Sequence, residues 1–307
     1  MKRVGIIGSG NVGANSAFFI AENRTASVTL VDIKEGLSAG KALDMLEAGP
    51  IRHYDTDIRG ENDIEKIRDS DVVVLAAGRV RAPDQSRDAL YKENARLALQ
   101  LCAEIKRLAP GAVVINVVEP VDMITLLAQK TLGFDRMRVM GVGGLLSSTR
   151  LRYIVSNSLG VSSREVTGMV IGPHRPSMVF LRDTIRVSGI PADKLLPPEK
   201  LDAIVGEVRK AGDAILQMAQ RSTAYYAPSA AVAALVEAIV RDTKAILPVS
   251  IRLHGEYGVD DIAVSVPAQI GEKGVEKIVS IKMGPEEEKQ FMDAVNELSA
   301  SLGRVSC

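Results

Sequence analysis

The rhythm of the first 145 residues constrains the fold more than any other feature of the chain. Short, nearly continuous apolar runs, RVGIIG (3–8), VTLVD (28–32), DVVVLAA (71–77), AVVINVV (112–118) and RVMGVG (138–143), alternate with longer stretches of helical character at 11–22, 36–48, 88–109 and 121–132. A strand with one face in water alternates polar and apolar residues, whereas these runs are apolar throughout, as strands covered on both faces must be. Strands separated by helices pair in parallel through right-handed crossovers, so the spacing predicts a Rossmann-type doubly wound α/β sheet.

The pattern changes after residue 145. A helix at 146–159 leads to shorter strands near 166–172 and 178–187, and Pro197-Pro198 opens a long helix expected to end near Arg221. A further helix (227–241), three strand-like runs (248–254, 262–270, 275–283) and a last helix opened by Pro285 and three glutamates complete the chain. Proline and acids in a first turn suit a helix N-terminus. We therefore expect a parallel-sheet domain over 1–144 and an α+β domain over 145–307, with no flexible linker and a continuous interface between them.

Charge excludes several classes of function. Lysine plus arginine (38) balances aspartate plus glutamate (38), so no global basic field would draw nucleic acid or an anionic membrane. No apolar run is long enough to span a bilayer and the N-terminus has no signal-peptide pattern, which together point to a soluble, cytoplasmic protein. The two cysteines, Cys102 and Cys307, lack metal-ligand or redox spacing; a buried thiol and a loose terminal one, able to bridge subunits, are expected, and no metal site.

Gly8-Ser9-Gly10-Asn11-Val12-Gly13 lies directly between the first strand and the first helix. In that setting the first glycine permits a tight turn, the second lets the backbone approach a pyrophosphate, and the third allows close helix packing, with helix N–H groups facing the anion. Asp32 ends the second strand, where a carboxylate accepts hydrogen bonds from an adenosine ribose and repels a 2′-phosphate. NAD is thus favoured over NADP, which Lys34 nevertheless keeps open.

Beyond the strand at 71–77, the loop AAGRVRAPDQSRDAL carries Arg81 and Arg87, and Arg150 lies on the helix that opens the second half. Guanidinium forks suit carboxylates, and ligands of α/β sheets bind at the strand ends. Here the sequence resembles the lactate/malate dehydrogenase family, closest to the lactate-dehydrogenase-like malate dehydrogenases, over essentially its whole length. The resemblance is carried by GIIGSGNVG, GKALDM, DIRGENDIEKIRDSDVVVLAAG, RVRAPDQSRD, EPVDMIT, LLSSTRLR, IGPHRPSM, TAYYAPSAA and HGEYGVDDIAVSVPAQIG.

That likeness implies reversible NAD-dependent oxidation of a 2-hydroxy acid, a second domain for substrate binding and oligomerisation, and a homodimer or homotetramer. Arg81 and Arg87 would hold the far carboxylate and polarise the carbonyl, Arg150 would clamp the near carboxylate, and His174 would exchange the proton. Asn94 and Val117 would join the glycine loop in holding the cofactor. Arg81 stands where lactate enzymes usually have glutamine, which fits a dicarboxylate such as malate and a place in the tricarboxylic acid cycle. His53 and His254 match no catalytic position and are expected to be structural or superficial.

Three departures from the family pattern cluster on the chemistry: Glu119-Pro120 in place of Asn-Pro, Leu146-Ser147 in place of Leu-Asp, and Arg175-Pro176 in place of Gly-Asp after the histidine. A carboxylate beside the ring orients it and favours the imidazolium that protonates a keto oxygen. Ser147 can orient the ring without supplying charge, and Arg175, if its charge lies near, disfavours the imidazolium. Two readings follow. Either the carboxylate lost at 147 reappears at Glu119, close enough to support His174 or to compensate Arg81 or Arg175, or the site is spoiled and the chain is a weakened paralogue with a binding or regulatory role.

Overall fold

A computed structural model describes residues 1–82, 85–219 and 223–305. The first half runs β1 (Arg3–Ile7), α1 (Asn11–Glu22), β2 (Ser27–Val31), α2 (Leu37–Arg52), β3 (Ile58–Glu61), β4 (Val72–Leu75), α3 (Arg87–Leu108), β5 (Val113–Asn116), α4 (Val121–Leu132) and β6 (Val139–Gly141). The second runs α5 (Gly143–Leu159), β7 (Val166–Ile171), β8 (Val179–Val187), β9 (Ile190–Pro191), α6 (Pro198–Ala219), α7 (Tyr226–Val240), β10 (Ala245–His254), β11 (Asp260–Gly271), β12 (Gly274–Ile278) and α8 (Pro285–Val305).

The apolar runs form the centre of a nine-stranded sheet ordered β12-β11-β10-β6-β5-β4-β1-β2-β3. Strands β1 to β6 are parallel to one another, in register Val4↔Val28 and Val4↔Val72 on the two sides of β1. Their order, 3-2-1-4-5-6, is that of the doubly wound dinucleotide fold. All four residues of β4 and of β5 are buried, which is why β4 is wholly aliphatic and β5 is Val and Ile up to Asn116.

The three strands expected near the C-terminus are present, but they do not form a separate sheet. β10 joins the edge of β6 antiparallel, with Ser250 opposite Gly141, so one sheet runs through both halves of the chain. A small antiparallel sheet, β7-β8-β9, stands apart. The end of β7 is fastened back to the large sheet by a bridge between Gly172 and Ser265, which fixes the segment leading into His174. The Ser229 hydroxyl of α7 donates to the Val12 carbonyl at 2.9 Å and ties α7 to the first turn of α1.

Sequence reading missed β3 and β9. Ile58-Arg-Gly-Glu61 is an edge strand with a single buried residue, so it carries no apolar run. The long helix α6 is present to Ala219, and its expected end at Arg221 lies outside the described residues, as does Cys307. Burial pushes the Cys102 thiol up to about 12, which leaves it inert. Among the described residues no helix is long and apolar enough to cross a membrane, and no group of His, Cys, Asp and Glu could hold a metal ion.

Candidate active site

The glycine loop joins β1 to α1 and has the geometry of an anion cradle. Gly8 has φ +105°, and a Cβ on Gly13 would lie 1.9 Å from the Gly8 carbonyl oxygen, so the turn and the helix close on each other only without side chains. Gly10 faces open space, with nothing within 4 Å of where a Cβ would stand. It is also the N-cap of α1 and offers no side-chain cap, and no acid occupies the first turn. The N–H groups opening α1 at Asn11 and Val12 are thus left for an outside acceptor.

Asp32 follows the last residue of β2, and its carboxylate is held by the chain's own backbone: the Ser9 N–H donates to its Oδ2 at 2.8 Å and the Lys34 N–H to its Oδ1 at 3.0 Å. Two contacts were not foreseen. The Lys41 ammonium donates to the Ser9 carbonyl at 2.6 Å, and the hydroxyls of Ser9 and Ser38 are 2.6 Å apart. Both partners come from α2, and GKALDM was the signal that contained Lys41.

From this loop a cleft of about 190 Å³ runs toward the second half, lined among others by Val12, Val117, Glu119, Arg150 and His174. His174 is 9% exposed. Its Nδ1 lies 3.1 Å from the Ser147 hydroxyl and its Nε2 lies 3.5 Å from Oε1 of Glu119. The other Glu119 oxygen is 3.4 Å from Nη1 of Arg87 and accepts from the Val121 N–H at 3.2 Å. The Glu119-Pro120 peptide is cis.

These charges set the protonation of the pair. Burial, first, together with Arg150 and Arg87, outweighs the opposing pull of Glu119 and the Gly143 backbone, and lowers His174 to about 4. Burial by itself would raise the Glu119 carboxyl, but His174, Arg87, the Val121 N–H and Arg150 hold it below its ordinary value. Glu119 therefore stands ionised beside a largely neutral ring.

The three expected arginines all border the cleft. Arg87 opens α3 and meets Glu119; Arg81 pairs with Asp213 of α6. Arg150, on α5, is partly buried, and among the described residues its buried Nε has no hydrogen-bond partner. Asn94, 1% exposed, spends its amide joining loops: it donates to the carbonyls of Arg79 and Glu119 at 3.1 and 2.6 Å and accepts from the Arg79 N–H at 2.7 Å.

Arg175 corrects an expectation. Its guanidinium turns from the ring to the Ser301 hydroxyl (2.8 Å) and Met123 Sδ (3.2 Å), with Glu297 at 3.9 Å, so it braces α4 and α8. The cations that act on His174 are Arg150 and Arg87 instead. Asp122 was overlooked although EPVDMIT contained it. Buried in the first turn of α4, it accepts from the His174 N–H at 2.7 Å and from the Ser250 hydroxyl at 2.7 Å, and burial pushes its carboxyl up to about 6. An acid inside an otherwise apolar helix face was the available signal. Of the other histidines, His53 caps the exposed end of α2 and His254 pairs with Asp260 at 2.7 Å on the surface.

Comparison with known proteins bears on the whole chain. Residues 2–141 match the lactate/malate dehydrogenase NAD binding domain and residues 145–306 the lactate/malate dehydrogenase alpha/beta C-terminal domain. A malate dehydrogenase of Heliobacterium modesticaldum is 40% identical over 305 residues, 98% of this chain and 99% of that protein. The malate dehydrogenase of Salinibacter ruber, solved at 1.55 Å, has a TM-score of 0.94 at 35% identity, covering 99% of this chain and 97% of its own. The lactate dehydrogenase of Cryptosporidium parvum, solved with lactic acid and nicotinamide adenine dinucleotide, has a TM-score of 0.95 at 32% identity, covering 99% and 98%. The motif resemblance and the doubly wound fold are both borne out, NAD is the cofactor of the first half, and the chain belongs to the lactate/malate dehydrogenase family.

Proposed function

We propose that this protein interconverts a 2-hydroxy acid and its 2-keto acid with NAD, malate and oxaloacetate being the first pair to assign, through an atypical active site. The observation that carries the reading is the convergence of His174, Arg87 and Arg150 on one cleft that also reaches the glycine loop. In this division of labour residues 1–144 hold the cofactor and residues 145–307 supply the proton-transfer residue and Arg150.

The cradle fits the dinucleotide: Gly10 leaves open space, α1 has uncapped N–H groups, and Asp32 stands at the ribose position. Bound NAD supplies the hydride acceptor in oxidation and NADH the donor in reduction. Gly8, Ser9, Gly10, Asn11, Val12 and Gly13 hold the pyrophosphate by backbone. Val117 lines the cleft beside it, and Asn94 acts from below by keeping the loops of Arg79 and Glu119 together.

His174 exchanges the proton at Nε2. The neutral ring that takes a proton from the hydroxy acid has its lone pair at Nε2 and donates Nδ1–H to the Ser147 hydroxyl, 3.1 Å away; in the imidazolium Nε2–H faces Glu119. Reduction needs the imidazolium, and Glu119 is the nearby anion that favours it, so the acid absent at 147 acts from 119 on the opposite edge of the ring. Arg87 shares Glu119 and borders the carbonyl position, while Arg150 meets the substrate's near carboxylate. Asp122 keeps the His174 backbone in place.

A second reading, a weakened paralogue that binds NAD(H) in a regulatory role, draws on the same contact, because Glu119 also stands where a substrate oxygen would approach Nε2. NADH oxidation over a panel of 2-keto acids, oxaloacetate first, decides between them. Turnover is expected; demonstrated NADH binding with no turnover for any acid would establish the second. The exposed Leu43, Leu46 and Ile51 of α2 support self-association as a homodimer or homotetramer, which sedimentation would distinguish.

A further inference from the structure

Of the three cleft arginines singled out from the sequence, two already have a carboxylate of the protein's own. Arg87 has Glu119 and Arg81 has Asp213, whereas Arg150 has no hydrogen-bond partner for its Nε among the described residues. Arg81 and Asp213 are 132 positions apart in sequence, on the loop after β4 and on α6, and both line the cleft. Arg81 is the better buried of the two, with side-chain exposures of 24% and 52%.

The neighbouring residue brings Asp213 close to the remaining arginine as well. Gly212 leaves room for the Arg150 guanidinium, whose Nη1 lies 3.6 Å from where a Gly212 Cβ would stand. Burial pulls Arg150 below its ordinary value, and Asp213 is, after Glu119, an anion that pulls it back. One carboxylate on α6 thus acts at both ends of the substrate space.

We propose that Asp213 is a specificity-determining residue. By occupying Arg81 it makes the second carboxylate of a dicarboxylate compete with an internal anion, and so shifts the cleft toward 2-keto acids that carry one carboxylate. This rests on the hydroxy-acid reading above. The first substrate carboxylate finds Arg150 with unused capacity, but the second must displace Asp213 or share Arg81 with it, and two carboxylates on one guanidinium repel each other.

The test measures ligand binding and turnover on the full chain saturated with NADH. Hydroxymalonate, with two carboxylates, and oxamate, with one, are titrated calorimetrically into the wild type, Asp213→Asn and Asp213→Glu. Because the pair is partly exposed, Asp213→Asn is expected to tighten hydroxymalonate roughly three- to tenfold and to move oxamate less than about twofold. Asp213→Glu, which keeps the charge, stays near wild type. The ratio of oxaloacetate to pyruvate kcat/KM rises in parallel, through KM. An unchanged ratio, an equal shift for both ligands or weaker hydroxymalonate binding overturns the assignment while leaving the hydroxy-acid reading intact. If neither ligand binds any variant and no keto acid turns over, that reading falls and takes Asp213 with it.

Discussion

Glu119 reaches His174 from the edge of the ring opposite Ser147: its carboxylate lies 3.5 Å from Nε2, while the serine hydroxyl lies 3.1 Å from Nδ1. In the proposed reaction, the nitrogen that meets substrate is thus the one beside the acid. At 3.5 Å the contact is too long for a strong hydrogen bond yet well within Coulomb range.

Replacing Glu119 separates help from hindrance. Glu119→Asn is expected to lower kcat for keto-acid reduction by about tenfold or more, less than the roughly 10²–10⁴-fold of a general acid/base itself because Glu119 acts through His174. Steady-state kinetics at fixed NADH measures it. Unchanged turnover would remove Glu119 from the chemistry, and a rise would show that the acid obstructs the site.

Ser147→Asp puts a carboxylate on the Nδ1 edge, where no anion now stands. The His174 pKa, about 4 in the wild type, is expected to rise toward the ordinary histidine range. With three histidines in the chain, its ring signals are readily assigned by NMR. No rise would mean that burial and the two arginines overwhelm any added anion.

Stability should depend on pH through His174 with a definite sign. The folded-state value of about 4 lies below the reference value of 6.5, so the unfolded chain binds the extra proton first and stability falls as pH drops from about 6.5 toward 4. Asp122 works the other way: its carboxyl is raised to about 6, so its contribution is full at acid pH and is lost as pH rises through 6. Urea midpoints measured from pH 4 to 8 should lose less on the acid side in His174→Gln than in the wild type. Identical slopes would show that His174 is not the group responsible.

Arg175→Met tests the brace. The arginine holds Ser301 and Met123 rather than the ring, so the His174 titration and kcat are expected to stay unchanged while the thermal midpoint falls by a few degrees. A shifted His174 titration would return Arg175 to the active site.

Gly13→Ala tests the cradle. The new Cβ would lie 1.9 Å from the Gly8 oxygen, which forces the loop away from α1. NADH affinity, followed by fluorescence, is expected to drop at least tenfold, with a loss of roughly 1–3 kcal/mol in stability. Retained affinity would mean that the loop does not carry the pyrophosphate.

What could be read in the sequence followed from local chemistry. The strands β1, β2, β4, β5 and β6 announced themselves because burial on both faces leaves mostly apolar residues, and the glycine loop because Gly8 and Gly13 have no room for a side chain. The edge strand β3 was silent because one buried residue in four makes no pattern. His174 and the three arginines were picked out by their motifs, and Ser147 and Glu119 were named as candidate partners of the ring, but the partners of Arg81 and Arg175 were not. The pairing of Asp213 with Arg81, 132 positions away, and the turn of Arg175 toward α8 depend on how distant helices pack, which no local spacing encodes. The same holds for Asp122, whose acid looked like an ordinary first-turn residue until the His174 backbone was seen to meet it.

The antiparallel seam at Ser250 and Gly141, where β10 completes the edge of β6, has a consequence for modularity. The six parallel strands do not close the sheet by themselves, because the free edge of β6 is taken by β10. Cut free, they would present the hydrogen-bonding groups of β6 and its apolar flank to water, a template for pairing with any other exposed strand. The strands β10 to β12 cover that edge, and because they follow β6 in the chain only after α5, β7 to β9, α6 and α7, the edge stays open until they too have emerged from the ribosome.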